Sequence, residues 1–217
     1  MKSPAAPVTL AGAPLGEARH VCAFFGSDEE EYRVLLPFVK EGFDAGDRAV
    51  HVVESHRCAD HLGRLAAAGI DTAAAGERGQ LELRTSAETY LRDGRFDTER
   101  MLATFEGLAG GGGAAGFARS RMVCRMDWAA ERRPAFDDVI EFESRVNDVW
   151  RRHDDVVVCT YRTGRFGGDA VVNIMRTHPL VIVGGTLRRN PFFVPPERFL
   201  PELRARRAQG DVPPRNA

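Results

Sequence analysis

The six histidines and four cysteines of this 217-residue chain carry most of the chemistry its side chains can offer. His20 and Cys22 alternate, so in a strand both point to one face. His20 would stand at the strand's start, as a polar group or a ligand contact. His56 and His61 flank Cys58 at an expected helix start, and His56 and Asp60 share an i, i+4 face. Cys159 and His178 lie far away in sequence. Zinc sites usually show a close ligand pair; no CxxC pair occurs, and no metal is expected at these places. Cys159 and His178 have the residue types of a nucleophile and its base. The run Val156-Val157-Val158 before Cys159 favours a plainer reading, a buried inert thiol. Glu141 and Glu143 fall on one expected helix, where Glu143 and Asn147 are four apart. Phe142, Val146 and Val149 form that helix's apolar stripe, so Glu143 is expected at the boundary of the core. No GxSxG nucleophile elbow occurs, and no catalytic residue is assigned.

Phosphate chemistry is argued against by the first strand-to-helix loop. A P-loop needs GxxxxGK[ST], with backbone amides around the phosphates, a lysine on them and a hydroxyl on magnesium. Here the loop reads Gly26-Ser27-Asp28-Glu29-Glu30-Glu31-Tyr32. It has one glycine, no lysine and four consecutive carboxylates that would repel a triphosphate. No GxGxxG fingerprint follows the strand either, so no nucleotide cofactor is expected.

The elements that must position these residues alternate. Val21-Cys22-Ala23-Phe24-Phe25 is a short continuous apolar run, the pattern of a strand buried on both faces. Ser27 or Asp28 can cap the helix that follows, whose acidic first turn suits the helix dipole. Further strands are expected over 48–53, 80–84, 122–126, 156–161 and 180–183. Helices are expected over 58–68, 98–108, 136–152 and 168–176. Gly110 to Gly113 reads as a flexible surface loop. Strands and helices in this rhythm predict an α/β fold with a mostly parallel central sheet, covered by helices on both faces. Residues 1–18 are expected to form a disordered arm and 204–217 a flexible tail. A ligand of such a sheet binds beyond the carboxyl ends of its strands. That places Phe25, Glu54, Asp127, Trp128, Tyr161 and Gly184-Gly185 at one expected crevice, where Trp128 reads equally as an aromatic wall or as core packing.

Net charge is −1, which gives no ground for direct nucleic-acid or membrane binding. No apolar run approaches the ~20 residues a spanning helix needs. No secretory signal is seen, and four cysteines without a CxxC pair suggest reduced thiols in the cytoplasm.

Taken in order, several segments resemble the MEDS family, the sensory domain of methanogen and methylotroph signalling proteins and of the dichloromethane-responsive repressor. They are His20-Val21-Cys22-Ala23-Phe24-Phe25, 36–43, 46–50, Tyr90-Leu91 with 94–97, Arg121 with Met126-Asp127-Trp128-Ala129, and Phe142-Glu143 with Asn147. Cys159-Thr160-Tyr161, His178-Pro179 and Asn190 complete the set, over about residues 19–195. The resemblance implies a RecA- or KaiC-like core without its phosphate loop. It also implies a sensor of small molecules such as simple hydrocarbon derivatives. It adds His20, Glu143 and His178 to the pocket candidates, beside Trp128 and Tyr161, and Arg121 belongs to a matching segment. No helix-turn-helix or kinase module is seen on either flank, so output is expected through a regulatory protein partner or through self-association. Two other readings stay open: an interaction module using 190–196, and an enzyme using Glu143, His20 or His178.

Overall fold

A seven-stranded sheet runs through the computed structural model, which describes residues 7–114, 116–131 and 136–210. The chain enters through a small hairpin, β1 (Thr9–Leu10) and β2 (Ala13–Pro14). It continues through β3 (His20–Phe25), α1 (Asp28–Asp44), β4 (Arg48–Val53), α2 (Cys58–Ala67), α3 (Thr72–Glu77), β5 (Leu81–Thr85) and α4 (Ser86–Thr89). Then come α5 (Thr98–Ala114), β6 (Ser120–Arg125), α6 (Phe136–Trp150), β7 (Val156–Arg162), α7 (Gly168–Thr177), β8 (Leu180–Val183), β9 (Thr186–Arg189) and α8 (Pro196–Gly210). The strand order is β5-β4-β6-β7-β3-β8-β9, parallel except for the antiparallel pair β8–β9. This is the expected mostly parallel α/β sheet.

Alternation along the strands builds two cores. Cys22, Phe24, Val157, Cys159 and Tyr161 face α5, α6, α7 and α8. Val21, Ala23, Phe25, Val156 and Val158 face α1 and α2. The central strands are apolar on both faces because helices cover both. The chain leaves β3 and β4 toward one face and β6 and β7 toward the other. Helices diverging in this way open a crevice above the carboxyl ends of β4, β6, β7 and β3.

Four expectations need correction. The arm expected over 1–18 is packed from residue 7 onward: Val8, Leu10 and Leu15 are buried, and the Thr9 N–H donates to the Glu41 carboxylate. Gly110 to Gly113 lies within α5, so the backbone there is helical and not a loop. Leu180–Val183 is not the last strand. Gly184 and Gly185 both have positive φ, 57° and 72°, which lets a two-residue turn fold β9 back on β8. The tail expected from 204 is helical to Gly210, and Arg207 pairs with Asp138 and Glu141 of α6; residues 211–217 lie outside the described set. In the 190–196 segment, Phe192 is 56% exposed while Asn190 is buried and bonds to the Met175 and His178 carbonyls. It is a tied-down loop.

Candidate functional site

Two groups of polar side chains stand out, one inside the core and one at the crevice. The inner group forms where α6 lies over β3 and β7. His20 opens β3, Glu143 is at mid-α6, Cys159 and Tyr161 are two apart on β7, and His178 ends α7. Cys159 lies in register with Cys22, two residues along β3 from His20. All five are at most 2% exposed, and Glu143 and His178 are wholly enclosed. Glu143 is thus not the boundary carboxylate expected from the helix pattern. The apolar stripe of α6 is broad enough that position 143 falls inside it.

The geometry converges on one carboxylate oxygen. Glu143 Oε2 is 3.1 Å from His20 Nε2, 3.4 Å from His178 Nε2 and 3.7 Å from Cys159 Sγ. The Tyr161 hydroxyl donates to the other oxygen, Oε1, at 2.9 Å. Acceptors fix the far side of each ring. His178 Nδ1 lies 2.8 Å from the Ile174 carbonyl. A carbonyl only accepts, so that nitrogen carries the proton. The Asn147 amide donates to the carbonyls of Glu143, Ser144 and Thr177. Its oxygen is thereby turned to His20 Nδ1, 3.1 Å away, which must also donate. Both imidazoles are left with Nε2 directed at the same point.

A group of this kind needs a cation. Burial, helped by the charge of His178, pulls His20 down to about 4, against the opposing pull of Glu143 and Asn147. Burial pushes the Glu143 carboxyl up, but His178 and His20 beside it hold it below the ordinary carboxylate range. Burial and the Glu143 charge push the Cys159 thiol and the Tyr161 phenol well above their usual ranges. An ionised carboxylate facing imidazole lone pairs in a dry core is repulsive unless a proton or a metal ion sits between them.

The second group lines the crevice, a cavity of ≈ 550 Å³. Each strand beneath it contributes: Asp28 follows β3, Glu54 follows β4, Asp127 and Trp128 follow β6, and Arg162 and Arg165 belong to the end of β7 and the loop beyond. Asp28 pairs with Arg57, Arg125 and Arg162. The Asp127 carboxylate accepts the Arg162 N–H at 2.8 Å, tying β6 to β7. Trp128 stacks on Tyr90 and Phe96, at 4.7 and 5.5 Å between ring centroids. An adjoining cavity of ≈ 380 Å³ has an apolar wall of Ala129, Ala130, Phe136, Phe166 and Ala170, and Arg165 borders both cavities. The loop between β3 and α1 is closed on itself. The Glu30 carboxylate accepts the Gly26 N–H at 2.7 Å, and Ser27 Oγ caps Glu30 N.

The residues singled out from sequence therefore divide. Glu54, Asp127 and Trp128 meet at the crevice. His20, Glu143, Tyr161 and His178 meet in the core instead: His20 and Tyr161 lie on the opposite side of the sheet's pleat from Phe25, and α6 and the end of α7, which cover that side, bring Glu143 and His178 to them. Phe25 packs toward α1, and Gly184 and Gly185 form the β8–β9 turn. Arg121, near the amino end of β6, is an anchor: it bonds Asp47 and the Phe38 carbonyl and reaches Glu41. Sequence reasoning missed Asn147 as the group that orients His20. It also missed Arg125, Arg162 and Arg165, whose only signal was their position at or just after strand ends. A further buried chain went unseen: Tyr32 Oη to His61 Nδ1 at 2.7 Å, and His61 Nε2 to His51 Nδ1 at 2.8 Å.

Comparison with known proteins agrees with this architecture. The family model described as "MEthanogen/methylotroph, DcmR Sensory domain" (MEDS) matches residues 19–179. No curated protein matches the chain. Among solved structures, a KaiC-like protein of the hyperthermophilic archaeon Pyrococcus horikoshii superposes with a TM-score of 0.57 at 15% identity, covering 82% of this chain and 80% of the other. At that identity the likeness speaks to the fold.

Proposed function

The chain belongs to the MEDS family of sensory domains, and from that premise we propose that it binds a small organic molecule at the carboxyl-end crevice and passes the bound state to a partner protein. The observation that carries this reading is the meeting of two unlike cavities at Arg165, one lined mainly by charged groups and one that sets an apolar wall of Phe136, Phe166 and alanines beside Asp137, Asp169 and Asn173. A pocket so divided suits a ligand with a short hydrocarbon body and a polar or anionic head. The body would lie against Phe136 and Phe166, and the head at Arg165. A simple hydrocarbon derivative has that form. Occupancy would favour whichever arrangement of Arg165, Phe166 and the start of α7 closes on the ligand, and a partner reading that face would sense the shift.

The test is calorimetric titration with short-chain carboxylates, alcohols and alkyl halides. It is paired with Trp128 fluorescence in a Trp150→Phe background, since the chain has only two tryptophans. Saturable binding that quenches or shifts Trp128 emission, and that weakens by roughly tenfold or more in Arg165→Ala, as loss of one charge-assisted contact predicts, supports the reading. Absence of saturable binding by every class refutes the ligand half of it.

A further inference from the structure

Beneath the crevice, and independent of what it binds, the inner group has the makings of a metal centre. We propose that His20, Glu143, Cys159 and His178 bind one divalent transition metal ion of the zinc class. One donor atom from each lies within 4.8 Å of the other three. The spacings bear on coordination directly. A tetrahedral ion with bonds of ~2.1 Å to N and O and ~2.3 Å to S separates its N and O ligands by about 3.4 Å, and its S from either by about 3.6 Å. Glu143 Oε2 stands 3.1 and 3.4 Å from the two Nε2 atoms, and Cys159 Sγ stands 3.7 Å from both Oε2 and His20 Nε2. These distances fit four of the six edges of such a tetrahedron, and the remaining two, from His178 Nε2 to His20 Nε2 and to Cys159 Sγ, are no longer than 4.8 Å. His178 Nε2 is buried and faces Glu143 Oε2 at 3.4 Å without a well-formed hydrogen bond, a separation that an ion held between the two atoms would set.

The surroundings are those that hold metal ligands in place. Each ring carries its proton on Nδ1, donated to a fixed acceptor: the Ile174 carbonyl for His178, the Asn147 amide oxygen for His20. Such outer bonds set the tautomer and aim Nε2 at the ion. Tyr161 holds the free carboxylate oxygen. Binding would release the Cys159 proton, giving a thiolate–metal bond, and would leave Glu143 ionised. The ion's two positive charges then match the charges of thiolate and carboxylate, which makes burial of the set electrically neutral. A mixed N, S and O donor set of this kind suits zinc or cobalt, not magnesium or calcium, which prefer oxygen. A small cavity of ≈ 140 Å³ bordered by His20 and Asn147, at the amino end of the sheet, gives a way in.

The experiment is cobalt and zinc uptake by the whole chain, stripped with a chelator and refolded with either ion, and read by elemental analysis and absorption. The expected result is one ion per chain, with intense tetrahedral d–d bands and a near-ultraviolet thiolate-to-cobalt band. Cys159→Ser should lose the near-ultraviolet band while keeping d–d absorption, and His178→Ala should lose stoichiometric uptake. Zinc should raise the melting temperature of the parent chain and not that of His178→Ala. A folded parent chain that takes up no stoichiometric ion overturns the proposal. So does a cobalt spectrum unchanged by Cys159→Ser. Small-molecule binding at the crevice, measured on the same metal-free protein, is a separate readout, so the two readings can fail separately.

Discussion

The Tyr32–His61–His51 chain makes stability fall in mild acid, and the size of the fall follows from burial. His61 is 6% exposed, and burial, with the nearby charge of Arg125, lowers its pKa to about 4 from an ordinary 6.5. His51 is enclosed and is lowered by burial and by His61. A folded-state pKa below the unfolded one means that, between about pH 6.5 and 4, the unfolded chain holds more protons. Stability is therefore fully present above about pH 6.5 and is lost as pH falls toward 4. For His61 alone the linkage amounts to about 1 kcal/mol by pH 5.5 and about 3 kcal/mol by pH 4.5. The perturbation is His61→Gln, which can keep a donor toward His51 Nδ1 and an acceptor toward the Tyr32 hydroxyl but cannot titrate. Urea unfolding of parent and variant at steps from pH 7.5 to 4.5 measures both curves. The parent should lose ground on the variant by those amounts, with an unchanged denaturant slope. Parallel stability curves across that range would refute the claim that His61 is held neutral by the fold.

Two more outcomes follow from particular contacts. Gly42→Ala in α1 should destabilise, because a Cβ there would lie 2.7 Å from Arg121 Cδ and 2.8 Å from its Nε; the usual gain from Ala in a helix, about 1 kcal/mol, gives way to a loss of about 1–3 kcal/mol, and a raised melting temperature would sink the reasoning. Tyr161→Phe should cost about 2 kcal/mol in chemical denaturation, since it leaves Glu143 Oε1 buried without its donor; a change within a few tenths would mean the hydroxyl does not hold the carboxylate.

Period and punctuation are local properties, and they were legible in the sequence. The apolar runs of β3, β6, β7 and β8, the Ser27 cap and the carboxylates filling the loop before α1 follow from residues close together in the chain. They suffice for a helix-covered parallel sheet with no phosphate loop. Where local signals were weak, the structure differs: Val8 and Leu10 pack although the segment around them is rich in Ala, Pro and Gly, and α5 continues through its glycines. Strand ends also gave Glu54, Asp127 and Trp128 their place at the crevice, because position along a parallel strand sets which end of the sheet a residue reaches. Which side of the sheet a residue faces, and what the far side of that core contributes, depend on pairing register and helix placement. His20, Glu143, Cys159 and His178 come from four elements spread over more than half the chain. No spacing rule could join them. Only the pairing of β3 with β7, the laying of α6 across both and the turn from α7 into β8 bring their donor atoms to one point. Burial then does the rest, since in water the same four groups would be solvated and independent, and in a dry core they must be satisfied together.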